Sequence, residues 1–358
     1  MGAVVRDRIA HVRPTARIYI QPSPSRQILD RPERRSDISS DPSSGGPDDG
    51  DRADDAGGTD LSDGDPSETD PAADDSGGLV TRRRLLAGVA GGVGLLGGGG
   101  LYAANELDGD FGGYDAPETQ PTVSTRGRLD EPEPTERSGS WAFDGADRVV
   151  LYVHGLGADA VSARDQAHTA KLGLDEVLGA ADAPPVIGYS WASNVDWEPA
   201  KRAAADNAAP LADWLTAWAD EDGRPVHLFA HSLGARVTGE TLRELADRGR
   251  TDVLASASLF GGAIPDESVG SDGRYGPAIG ALDAPLYNFH SRNDRVLGWV
   301  YRASDRTRAV GHGGLPDAAT APDGYANAEV TDLVGDHYSY LEPGEGCLPR
   351  AVDRIGLD

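Results

Sequence analysis

The sequence predicts an α/β domain whose mostly parallel central sheet carries helices on both faces. Three observations point there. From Asp147 onward, short apolar runs ("RVVLYVHG", "PVIGYSW", "PVHLFAHS", "VLASASLFGGA", "PLYNFHS") take turns with helical stretches at 160–179 and 199–221. The runs are β-branched and apolar on both faces, as strands covered on both sides must be, and strand–helix alternation favours parallel pairing through right-handed crossovers. Roughly 220 residues follow, enough for one well-buried core. No internal repeat is present.

Composition narrows the partners. The 358 residues hold 33 Lys+Arg against 59 Asp+Glu, a formal charge of −26, and lysine occurs only at Lys171 and Lys201. So acidic a surface lacks the phosphate-neutralising charge that nucleic acid requires, and it argues against an anionic membrane surface as main partner. The composition resembles that of haloarchaeal proteins, whose dense carboxylates stay solvated in concentrated salt while the salt screens their repulsion, so low salt is expected to destabilise the fold. The single cysteine, Cys347, excludes an intrachain disulfide, a thiolate metal cluster and a lipobox.

Ahead of the domain the chain changes character twice. Residues 1–35 hold eight arginines and three acids, whereas 36–78 hold fourteen acids and one arginine. With almost nothing apolar to bury, the acidic stretch reads as a disordered, solvated spacer. Next comes "TRRRLLAGVAGGVGLLGGGGLYAA", which resembles a twin-arginine export signal. Eight glycines within 85–104 make it a poor membrane-spanning helix, though left uncleaved it would anchor the chain. Export signals begin near an N-terminus, so the start is read as lying too far upstream, with initiation at a non-AUG codon near Val80. Residues 105–124 read as a linker, and the folded domain is expected over 125–358, with a short first strand around "VSTRGRLD".

The chemistry concentrates in "HLFAHSLGARV". An apolar strand runs into Ala230-His231-Ser232-Leu233-Gly234 and then into an amphipathic helix reaching about Arg250. A nucleophile on so tight a strand-to-helix turn needs small residues two places to either side, and Ala230 and Gly234 fill them. The turn also sets Ser232 at a helix N-terminus, where the dipole favours developing negative charge.

Together with "LYVHGLGA", "GYSWAS", "NFHSRNDRVL" and "GDHYSYL", this turn resembles the α/β-hydrolase superfamily, and more closely uncharacterised haloarchaeal hydrolase-like proteins, over about residues 125–345. Alanine replaces the usual glycine at 230. The resemblance implies a Ser-acid-His order along the chain and a serine hydrolase, most plausibly an esterase working through an acyl-enzyme. His154 and Gly155 match the histidine-glycine motif of the oxyanion loop, or else mark a tight turn with a structural histidine. Leu233 and Leu156 are the candidate donors of the two oxyanion N–H groups.

Asp294, just past the strand "PLYNFHS", is the expected acid, with Asp266 as runner-up at the end of the preceding strand. Only His312 and His337 follow it, and His337, in a context resembling the family's "D-H" loop, is the expected base ahead of His312. His290 is expected to pack. His231 adjoins the nucleophile and is expected to point away from its reaction face, while His168 and His227 read as helix-surface and strand residues.

Tyr189 and Trp191 are candidate pocket residues, with core packing as the alternative. No metal-ligand spacing and no dinucleotide fingerprint are found, so neither metal nor cofactor is expected; "DGDPSETD" resembles a calcium loop only in composition. The short connection before the acid's strand leaves no room for a large cap domain. The expected partner is a small-molecule ester, acted on outside the cell or at its surface. The competing readings are a surface binding protein that keeps the fold without catalysis, and an acyltransferase.

Overall fold

The computed structural model describes residues 113–357; the charged region 1–78, the signal-like segment 79–104 and the first part of the linker lie outside the described residues. The sheet has eight strands in the order β2-β1-β4-β3-β5-β6-β7-β8. These are β1 (Thr122–Ser124), β2 (Glu136–Ser138), β3 (Val149–Val153), β4 (Val186–Ser190), β5 (Val226–His231), β6 (Ser256–Phe260), β7 (Leu286–His290) and β8 (Tyr325–Glu329). Only β2 pairs antiparallel, at the edge beyond β1. β1 itself precedes the expected boundary at 125, and Ala116 already donates its N–H to Asp165 Oδ1 at 2.9 Å.

The strand period of two sorts side chains into two cores. Val149, Leu151 and Val153 of β3, with Leu228 and Ala230 of β5, face α2 (Trp197–Asp206), α3 (Ala208–Glu221), α4 (Gly234–Asp247) and α5 (Gly276–Ala281). Val150 and Tyr152, with Phe229, Phe260 and Phe289, face α1 (Ala160–Leu178) and α8 (Leu348–Ile355). On this second face Phe260 lies 5.1 Å from Phe229 and 4.9 Å from Phe289, ring to ring. Each such buried ring contributes roughly 1.5–3 kcal/mol by leaving water. This is the α/β-hydrolase architecture, a mostly parallel sheet between two helical layers.

α1 opens where predicted, because the Asp159 carboxylate accepts from the N–H groups of Val161 and Ser162. The helix expected over 199–221 is instead two. Pro210 cannot continue a helical ladder back to Asp206, and the Asn207 side chain turns into the core to accept from Thr125 Oγ1 at 2.6 Å and Tyr189 OH at 2.9 Å. Between β7 and β8 the chain makes an excursion containing a π-helix (Val296–Tyr301), α6 (Arg302–Asp305) and α7 (Val310–Gly313). Among the described residues no helix is long and apolar enough to cross a membrane.

Candidate active site

The turn between β5 and α4 holds Ser232 with φ 53°, a left-handed conformation that a non-glycine residue adopts at a cost of roughly 1–3 kcal/mol. Its surroundings enforce it: Ser232 N–H donates to Phe260 O at 3.1 Å, and Ser232 O accepts from Ala235 and Ala263. Two glycines make room. A Cβ at Gly234 would lie 2.4 Å from Val153 O, and one at Gly155 would lie 2.7 Å from Ser232 Cβ. Ala230 is fully buried in β5.

Three side chains from distant positions meet here. Ser232 Oγ lies 2.9 Å from His337 Nε2, and His337 Nδ1 lies 2.7 Å from Asp294 Oδ2. With Nδ1–H donating to the carboxylate, Nε2 is left as acceptor for the serine hydroxyl. Asp294 is fully buried; its Oδ1 accepts from Leu297 N–H at 2.9 Å, and its Oδ2 also accepts from Tyr340 OH at 3.2 Å. Burial, then the charge of Asp294, holds the Tyr340 hydroxyl well above its ordinary pKa, so it stays a donor. His337 stands on a turn that Asp336 builds, its carboxylate accepting from Tyr338 and Ser339 N–H. Ser291 at the end of β7 donates to Val334 O at 2.9 Å, tying the acid's loop to the base's loop.

The alternatives expected from the sequence are occupied elsewhere. Asp266 Oδ2 pairs with Arg308 at 2.8 Å, and burial pushes its carboxyl up despite that partner. His312 Nδ1 lies 3.2 Å from the backbone oxygen of Asp294, so it packs behind the acid instead of facing the serine. His290 packs in β7 at 5% exposure, His227 bonds Ser256 Oγ, and His168 is half-buried on α1.

His154 and Gly155 follow β3 directly, and Gly155 lies against Ser232. His154 Nε2 accepts from Trp191 N–H at 3.1 Å, which puts the proton on Nδ1, 2.9 Å from Gly155 O. Burial, reinforced by Arg126, brings this imidazole down to about 3, so it is neutral and fixes the loop. Ser193 pins the same loop, its carbonyl accepting from Gly157 N–H and its hydroxyl from Ala158 N–H. Leu156 is half-buried at its apex. Leu233, the residue before α4, has no side-chain cap on the helix end it opens.

One expectation needs correction and another is extended. Tyr189 and Trp191 do not line a pocket: they are 1% and 0% exposed, and their polar atoms serve Asn207 and His154. Trp191 stacks on the His154 ring at 5.5 Å, so both aromatics are core. His231, expected to point away from the reaction face, also has a partner. Its Nε2–H donates to the His337 backbone oxygen at 2.8 Å, and the two rings lie 4.8 Å apart. Tyr340, Ser193 and His231 were thus missed as supports, although each stands inside a stretch that carries the superfamily resemblance.

Among the described residues no group of three or more His, Cys, Asp or Glu is arranged to hold a metal ion.

A family model described as "Protein of unknown function (DUF726)" matches residues 176–350. An uncharacterized membrane protein of Schizosaccharomyces pombe is 29% identical over 136 residues, 38% of this chain and 16% of that protein. The Oryza sativa transmembrane and coiled-coil domain-containing protein STS1 is 35% identical over 128 residues, 36% of this chain and 18% of that protein. The matched stretch therefore spans less than a fifth of either relative. Among solved structures, Bacillus licheniformis lipase BlEst2 aligns with a TM-score of 0.38 at 15% identity, covering 59% of this chain and 93% of its own. A Pyrobaculum calidifontis esterase aligns with a TM-score of 0.32 at 18% identity, covering 58% and 75%. What the chain does chemically rests on its own side chains.

Proposed function

We infer that the protein is a serine hydrolase that cleaves carboxylic esters through an acyl-enzyme. The observation that carries this reading is the unbroken relay from Ser232 Oγ through His337 to a fully buried Asp294, with steps of 2.9 and 2.7 Å. A strained nucleophile turn and a glycine loop against it add to that support.

In the proposed reaction Ser232 Oγ bonds to the acyl carbon while its proton passes to His337 Nε2, and Asp294 stabilises the imidazolium that results. The carbonyl oxygen becomes an oxyanion held by the N–H groups of Leu233 and Leu156, each worth about 3–4 kcal/mol to such a transition state. When the tetrahedral adduct collapses, the leaving alkoxide takes the Nε2 proton and departs as the alcohol. Water then attacks the acyl-Ser232 ester, yielding its proton to Nε2, and the acid leaves as the serine is restored. An alcohol in place of water would make the same cycle an acyl transfer.

The substrate is read as a small ester, met outside the cell after export through the 79–104 segment, or at its surface if that segment stays attached; fractionating cells that express the chain with and without Arg82 and Arg83 tests this placement. The chemistry is tested by turnover of short-chain aryl esters in multimolar salt. His337→Ala is expected to lower kcat by roughly three orders of magnitude or more, and His312→Ala far less. Equal losses would remove His337 as the base. A well-folded protein with no turnover of any ester would favour a binding scaffold.

A further inference from the structure

Arg236 lies one turn past Ser232 in α4, about 6 Å along the helix axis, and helical side chains lean toward the helix N-terminus, here toward the nucleophile. The residue is half-buried, and its Nε is sealed from solvent without a hydrogen-bond partner. Among the described residues no carboxylate pairs with Arg236, and three acids of the surrounding segments have other partners. Glu198 pairs with Lys201 at 2.6 Å, Asp305 with Lys201 at 2.8 Å and with Trp197 Nε1 at 2.7 Å, and Asp266 with Arg308 at 2.8 Å.

A second unpaired group lies close to the same turn, reached through Ala263. Tyr301, at the end of the π-helix that follows Asp294, is 3% exposed, and its hydroxyl is buried without a partner. Tyr301 packs edge-on against Trp197 at 5.8 Å and clusters with Ala263, whose N–H donates to Ser232 O. The charge of Arg236 is felt at Tyr301, at Tyr275 and at Glu198. A buried polar atom left unpaired costs about 1–3 kcal/mol, so the Arg236 Nε one helical turn past the nucleophile turn and the Tyr301 hydroxyl packed near it are places where a ligand could complete the bonding.

Resting on the hydrolase reading above, we propose that Arg236 and Tyr301 OH form a subsite for an anionic oxygen group on the substrate, a carboxylate or a phosphate. The flat guanidinium offers paired donors that match either oxyanion, and the phenol supplies a third. The enzyme then prefers esters that carry a negative charge a few bonds from the scissile carbonyl.

The experiment uses the full chain at one fixed salt concentration. The ratio of kcat/KM for the mono-4-nitrophenyl ester of succinic acid to that for neutral 4-nitrophenyl butyrate is measured in wild type, Arg236→Gln, Arg236→Lys and Tyr301→Phe. The ratio is expected to fall at least roughly tenfold in Arg236→Gln, and less in Arg236→Lys and Tyr301→Phe. A ratio that all three substitutions leave unchanged overturns the subsite. Independently of turnover, Ser232→Ala protein is titrated calorimetrically with succinate and with inorganic phosphate. Binding that disappears when Arg236→Gln is added supports the subsite, and the tighter anion identifies its source; binding that survives, or no binding of either anion, overturns it. Arg236-dependent binding in a protein that turns over no ester would sink the hydrolase reading while leaving the anion site standing.

Discussion

Tyr340 shows how much of the proposed catalytic arrangement rests on residues outside the Ser232–His337–Asp294 relay. Its hydroxyl donates to the same Asp294 oxygen that receives His337 Nδ1–H. Removing it in Tyr340→Phe takes away one bond to a charged acceptor, worth about 1.5 kcal/mol, so kcat is expected to fall about tenfold with KM little changed. Steady-state kinetics on an aryl ester check this, and an unaltered kcat would mean the acid needs no such support. The three relay residues were legible in the sequence because chemistry restricts their types and because the superfamily resemblance fixes their order. Tyr340 was not, since a tyrosine in "GDHYSYL" has no distinctive spacing, and only the fold brings it back to Asp294. Tyr189 and Trp191 stayed open between pocket and core, because an aromatic at a strand end reads alike in either place, and the fold puts both in the core.

At the scale of elements, the β5–α4 turn is where the sequence speaks most plainly. Gly234 is small because the helix start lies against the end of β3, with no room for even one methyl group. Gly234→Ala is therefore expected to destabilise the fold by about 2–3 kcal/mol, read as a lower urea midpoint at an unchanged m-value. A midpoint equal to wild type would show that β3 and α4 can part without cost. The same strand end delivers His231 to the backbone of His337, so one element aims the nucleophile and tethers the base's loop. Elements that lack a strong pattern were harder to see. β8, "YANAE", has alanines and polar residues where a central strand carries valine and isoleucine, because it lies at the sheet edge and buries little. The break at Asn207 was hidden too, since its cause is a side chain reaching Thr125 and Tyr189 across the core.

For the whole molecule, acid sensitivity follows from buried histidines. His154 is brought down to about 3 and His227 to about 4, each by burial first and then by a neighbouring arginine, and His231 well below its ordinary value by burial and then by His337. Each is neutral when folded and takes up a proton on unfolding below about pH 6.5. The stability they contribute is complete above that pH and is lost as pH falls from about 6.5 through the folded-state values, by up to roughly 1.4 kcal/mol per pH unit for each histidine. Urea unfolding at fixed salt should show stability dropping between pH 7 and pH 5, ahead of the range where carboxylates protonate. A flat profile down to pH 4.5 would contradict this. The sheet and its helical layers were readable from alternating apolar runs, whereas the titration of the core depends on which histidines the fold encloses.

The account stands most directly on the reactivity of one hydroxyl. Full-length protein treated with a fluorophosphonate probe and digested for mass spectrometry is expected to carry the label on the peptide containing Ser232, and to carry none after Ser232→Ala. Label that persists in the alanine variant, or that falls on another peptide of the wild type, would contradict it.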